Sequence, residues 1–105
     1  MSEGQDDIAR HSAEFRERQR LEHKQSLADM EAVLATPQGY RVVLEILRAA
    51  RVLQPTFASD AMISAYNEGW RNMGLRIARA VADASGAIAA RMVVELLQEK
   101  ADART

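Results

Sequence analysis

Apolar positions are unevenly distributed along this chain, and their spacing divides it into segments of different character. In residues 14–24 (EFRERQRLEHK) Phe15 and Leu21 are the only large apolar side chains, and a separation of six does not place them on one helical face. Glu14 and Arg18, and Arg18 and Glu22, stand four apart. Such pairs support a solvated helix by roughly 0.2–0.5 kcal/mol each. Residues 1–25 therefore read as a charged helical arm, or as a tail that orders only against a neighbour.

From Leu27 the pattern changes, because Leu27, Met30 and Leu34 recur at three and four residues and mark a first buried face. The first helix is expected to dock at its C-terminal end and to stop at residues 35–37. There Thr36 is an N-cap and Pro37 takes the first position of a second helix, where its missing N–H costs no hydrogen bond. The second helix carries Val42, Val43, Ile46, Leu47 and Ala50 and ends before the Gln54-Pro55 pair. Residues 54–59 (QPTFAS) form a connector in which Phe57 is expected to plug the core. Ser59 or Asp60 caps a third and longer helix, the central one, with Met62 or Ile63, Tyr66, Trp70, Met73, Ile77 and Val81 in a single stripe. That helix ends near residues 83–86 (DASG), and Ile88, Met92, Val93, Leu96 and Leu97 make a shorter fourth. The fold class expected is all-α: a charged N-terminal helical arm over residues 1–25, a compact bundle of three principal helices over residues 26–100, and a frayed tail over residues 101–105.

Composition narrows the function. A chain of 105 residues supports one core. It has no Cys, which removes disulfides, zinc–thiolate sites and thiol catalysis. Its 14 Lys plus Arg are set against 15 Asp plus Glu, so the bulk electrostatic footprint of a nucleic-acid binder is missing. The acidic N-terminus shows no secretory leader, and no stretch approaches the ~20 apolar residues of a membrane span. No phosphate-binding glycine loop, zinc-protease or nucleophile-elbow motif occurs. The only histidines, His11 and His23, are twelve apart, whereas helical metal pairs need a spacing of three or four. Glu45, Glu68 and Glu95 lie within apolar helices, where a salt-bridged surface carboxylate is commoner than a general acid. No catalytic, cofactor or metal residues are expected, and the chain reads as a non-enzyme.

The most unusual stretch is residues 65–75 (AYNEGWRNMGL), with Gly69 and Gly74 inside a strongly periodic helix. Each glycine costs roughly 1 kcal/mol against Ala in a helix interior. A neighbour approaching the backbone at Gly69 or Gly74 would offset that cost. Asn67, Glu68, Arg71 and Asn72 beside them read either as a polar recognition patch or, in preference, as a network tying this helix to the second helix and to residues 54–59. Charge is also asymmetric. Residues 1–35 hold more acids than bases, while Arg41, Arg48, Arg51, Arg71, Arg76 and Arg79 outnumber the acids between residues 36 and 81. An acidic arm and a basic body favour head-to-tail contact between copies; direct DNA contact through the basic body is the weaker reading.

Residues 34–47 (LATPQGYRVVLEIL), Phe57 and residues 65–75 together resemble a family of short proteins encoded in the structural-gene clusters of tailed phages, typified by a protein of a Bordetella podophage. The matching elements are a Thr-Pro-x-Gly turn (Thr36, Pro37, Gly39), then Arg41, Leu44 and Leu47. Phe57 follows as an aromatic connector, and Asn67, Glu68, Gly69, Arg71, Asn72, Gly74 and Leu75 complete the pattern. Tyr40 and Trp70 stand where the pattern would carry a basic residue. The resemblance spans roughly residues 27–97 and implies a particle protein whose relatives lie near capsid and portal genes; it brings no catalytic residues. The function expected is a non-enzymatic, oligomeric virion structural protein, made in the host cytoplasm. It would sit at the portal or head–tail region, or inside the head as a protein ejected with DNA, and would contact portal, capsid or tail components. The alternative is a small cytoplasmic assembly factor or DNA-binding regulator left out of the particle. Phe57, Tyr66, Asn67, Glu68, Gly69, Trp70, Arg71, Asn72, Gly74, Tyr40 and Arg41 are the interface or packing candidates.

Overall fold

In the computed structural model, residues 3–55, 58 and 60–103 are described. They form four helices: α1 Glu3–Leu34, α2 Pro37–Ala49, α3 Ala61–Ala84 and α4 Gly86–Asp102. The class is all-α, a charged helical arm followed by three principal helices.

The helix ends follow from side-chain chemistry. Thr36 breaks α1 from α2: its backbone is extended and its Oγ1 accepts a hydrogen bond from the Gly39 N–H at 2.9 Å, with Pro37 in the first turn. The same hydroxyl donates to the Val33 carbonyl at 3.2 Å, fixing the angle between the two helices. At the start of α3 the Asp60 carboxylate accepts from Met62 N–H at 2.8 Å and Ile63 N–H at 3.1 Å. A single residue, Ser85, both ends α3 and starts α4, its N–H bonding the Val81 carbonyl at 2.7 Å and its Oγ accepting from Ile88 N–H at 3.2 Å. So short a joint forces α3 and α4 to pack against each other as neighbours.

Leu34, Tyr40, Val43, Leu44, Leu47, Ala50, Val52, Val81, Met92 and Leu96 form the core, with Met92 and Val81 only 1% exposed. α1 enters it through its last turns alone: Leu27 and Met30 are half-buried and Leu34 is buried, while residues 4–26 are exposed. The arm is thus the N-terminal two thirds of one continuous helix of 32 residues. Its ion pairs are Asp7–Arg10 at 3.1 Å and Glu17–Arg20 at 2.7 Å, in place of the Glu14–Arg18 and Arg18–Glu22 pairs read from spacing.

Three further expectations are corrected. In α2 the buried face is Tyr40, Val43, Leu44 and Leu47, whereas Val42 and Ile46 point to solvent. Two apolar stripes share this helix, and α1, α3 and α4 cover only one. The helix does end before Gln54-Pro55, at Ala49, and the residue that turns the chain is Arg51, with a positive φ of 56°. In α3 the stripe is buried only at its C-terminal end, at Val81 with Ile77 partly covered; Met62, Ile63, Tyr66, Trp70 and Met73 are all exposed. Similarly in α4, Met92 and Leu96 are buried while Val93 and Leu97 are exposed. The position of Phe57, expected in the core, lies outside the described residues, and α4 continues to Asp102 where a frayed tail was expected.

The molecule is long and thin, measuring 70 × 38 × 17 Å with a radius of gyration of 19.3 Å. A compact chain of this length has a radius of about 13 Å. Its accessible surface is 8112 Å². About 5,900 Å² is usual for a folded monomer of this mass.

Candidate contact surfaces

The first surface is the uncovered half of α3. Its periodicity puts Ile63, Tyr66, Trp70 and Met73 on one face at spacings of three, four and three, with Met62 beside them. Trp70 is 53% and Tyr66 66% exposed. Their rings meet edge to face, centroids 6.2 Å apart and planes at 66°, so the pair forms one rigid aromatic projection. A shallow groove of about 290 Å³ runs from this pair to Ala49, Ala50, Arg51, Pro55 and Asn67.

The two glycines of α3 separate here. A Cβ on Gly74 would lie 2.5 Å from the Ala50 Cβ and 2.7 Å from Val52 Cγ1, so the turn after α2 rests directly on the α3 backbone. This is the close approach expected from its sequence. A Cβ on Gly69 would meet nothing within 4 Å among the described residues, so none of them approaches the backbone there. Among the described residues the polar network expected around them does not form: Asn67, Glu68, Arg71 and Asn72 make no hydrogen bond or ion pair there, and the buried Nε of Arg71 has no partner; residues 56, 57 and 59 of the expected network lie outside the described residues. Asn67 and Arg71 are half-buried, Glu68 and Asn72 exposed.

A second surface lies where α2 meets α4, around an open groove of about 640 Å³ lined in part by Tyr40, Arg41, Glu45, Arg48, Arg91 and Glu95. Tyr40 is buried, and the Arg91 guanidinium sits 4.4 Å above its ring centroid. Burial, then the nearby Glu95 carboxylate, holds the phenol above its usual pKa, against the opposing pull of Arg91. Glu95 lies close enough to act through its charge, yet the Tyr40 hydroxyl makes no hydrogen bond of good geometry. Arg91 pairs with Glu95 at 3.3 Å. Arg48 clamps Glu99 through two contacts, Nε at 2.8 Å and Nη2 at 2.6 Å, and also pairs with Glu45. This fork raises the Arg48 pKa and lowers that of Glu99. Glu45 and Glu95 are thus salt-bridged surface carboxylates, as their setting indicated, whereas Glu68 is not. Arg41, Arg51, Arg71, Arg76 and Arg79 have no ionic partner among the described residues. The Arg48–Glu99 clamp was missed in sequence because nothing local connects two residues on separate helices; Arg91 and Glu95, four apart, carried a readable signal.

His11 and His23 sit on one helix about 18 Å apart along its axis. Among the described residues no group of three or more His, Asp or Glu is placed to hold a metal ion. No described helix is long and apolar enough to cross a membrane.

Residues 30–98 match a family model described as Bbp19-like phage protein. No curated protein and no solved structure matches the chain.

Proposed function

The chain belongs to the Bbp19-like phage protein family, and from that premise we propose that it is a non-enzymatic, oligomeric structural protein of the phage virion. It would sit at the portal or head–tail region, or inside the head, in contact with portal, capsid or tail components. The observation that carries this reading is surface left over. A 105-residue chain that keeps Met62, Tyr66 and Trp70 more than half exposed, and extends a helical arm with little core contact, is shaped to be completed by neighbours. Large exposed apolar patches on a soluble chain mark interaction sites, and aromatic side chains are common anchors of interfaces. Arg41, Arg51, Arg76 and Arg79, without an ionic partner among the described residues, supply cations for an acidic partner or for packaged DNA, and residues 1–35, with eight acids against five bases, supply the opposite sign.

Quantitative mass spectrometry of purified particles tests the proposal. Stoichiometric copies are expected, and absence from particles would overturn it. Light scattering of the chain with and without residues 1–25 reports whether the arm itself holds an assembly together. Binding to duplex DNA that collapses between about 50 and 200 mM salt, by a protein missing from particles, would favour a DNA-binding regulator instead.

A further inference from the structure

We propose that two copies of this chain pair antiparallel along α3, burying Ile63, Tyr66, Trp70 and Met73 of each, with the Gly69 backbones along one edge of the contact. The inference rests on the oligomeric reading above and names its surface. Three observations point to a second copy as the occupant.

The first is symmetry of spacing. Intervals of three, four and three read the same in both directions, so a copy running antiparallel sets Tyr66 opposite the partner's Trp70, and Ile63 opposite the partner's Met73. That is an isologous contact, in which one patch is its own complement. The second is the glycine. Gly69 lies on the edge of this stripe beside Tyr66 and Trp70, inside a 24-residue helix, where an added Cβ would meet no other described residue within 4 Å. Gly74, on the covered face, is filled from within by Ala50 and Val52. A helix interior tolerates glycine at a cost that close packing offsets, and at Gly69 none of the described residues supplies that packing, which a second copy would.

The third is area. Large side chains present roughly 150–250 Å² each, so five that are more than half exposed, from Met62 at 83% to Met73 at 52%, offer an apolar strip of roughly 500–600 Å². Gly69, Ala65 and the stem of Arg76 along its edge bring this towards the ~800 Å² per partner of a standard interface. Charge does not oppose the pairing: Glu68, the only acid between residues 61 and 82, projects from the opposite side of α3.

The absence of Cys makes the test clean. The full-length chain is examined by light scattering at about 100 μM, above the micromolar dissociation constants of weak interfaces, alongside Trp70→Glu. Gly69→Cys and Glu68→Cys are oxidised separately. Expected are a mass twice the 11.7 kDa of the chain, at least a tenfold weaker association for Trp70→Glu with unchanged helix content, and disulfide-linked dimer from Gly69→Cys but not from Glu68→Cys. A monomeric wild type, an oligomer indifferent to Trp70→Glu, or equal cross-linking by both cysteines would overturn the pairing. A monomeric chain that is nevertheless abundant in particles would leave the virion reading standing and assign the stripe to another protein.

Discussion

Gly39, Gly69 and Gly74 lie in three different environments, and substitutions at them should separate accordingly. At Gly39 an added Cβ would fall 1.9 Å from the Val33 carbonyl oxygen and 2.9 Å from Thr36 Oγ1, inside the cap that joins α1 to α2. Backbone cannot yield as a flexible side chain does. Gly39→Ala should therefore destabilise by about 2 kcal/mol or more despite alanine's better helix propensity. Gly74→Val should cost about 1–3 kcal/mol by forcing Ala50 and Val52 away from α3. Gly69→Ala, in open space, should instead stabilise the dissociated chain by about 0.5–1 kcal/mol. Denaturant midpoints at low micromolar concentration check all three, and a common sign would contradict the structure. Met92→Ala, at a residue 1% exposed, should cost about 2–5 kcal/mol and calibrates the core on the same instrument. Sequence alone reveals that a mid-helix glycine is costly, but the atom that approaches it belongs to another element. That is why Gly69 and Gly74 look alike in sequence and differ in the fold.

Between elements, the capping chemistry was the most legible feature. Thr36 with Pro37, Asp60 and the Asp-Ala-Ser-Gly joint at residues 83–86 are local signals, each satisfied within three or four residues, and they place the helix starts where spacing alone indicated. Apolar periodicity identified the stripe on α3 but could not tell which part of it this chain covers, since coverage depends on where α1 and α4 end. The α2–α4 contact was equally illegible and has a pH signature. Arg48 holds Glu99 below its ordinary value of 4.5, so the unfolded chain takes up that proton at higher pH than the folded one. The contribution is complete above the ordinary value and is lost as pH falls through the depressed folded value. Both side chains are about two fifths exposed, so solvent screening keeps the effect small. Arg48→Met should flatten the fall in melting temperature between about pH 5 and pH 3, relative to wild type, and a parallel curve would show that the clamp is energetically silent.

On the scale of the whole molecule, the arm dominates shape and contributes little to the core. A helix gains most of its stability from packing an apolar face, and an isolated one of roughly 20 residues is marginal in water. Residues 4–26 are exposed throughout, with Ile8 and Phe15 two turns apart on one face and Leu21 on another, so their helical order rests on local ion pairs and on continuation from the docked turns at Leu27, Met30 and Leu34. Deleting residues 1–25 should therefore lower the radius of gyration from 19.3 Å towards about 13 Å in small-angle scattering while leaving the melting temperature nearly unchanged. Amide exchange in the intact free chain should be fast over residues 5–20 and slow at Met92 and Val81. Inside an assembled particle the same amides should become protected, because a neighbour would then supply the face that the arm lacks. Fast exchange in both states would mean that the arm reaches no partner, and its length would then need a cause other than assembly.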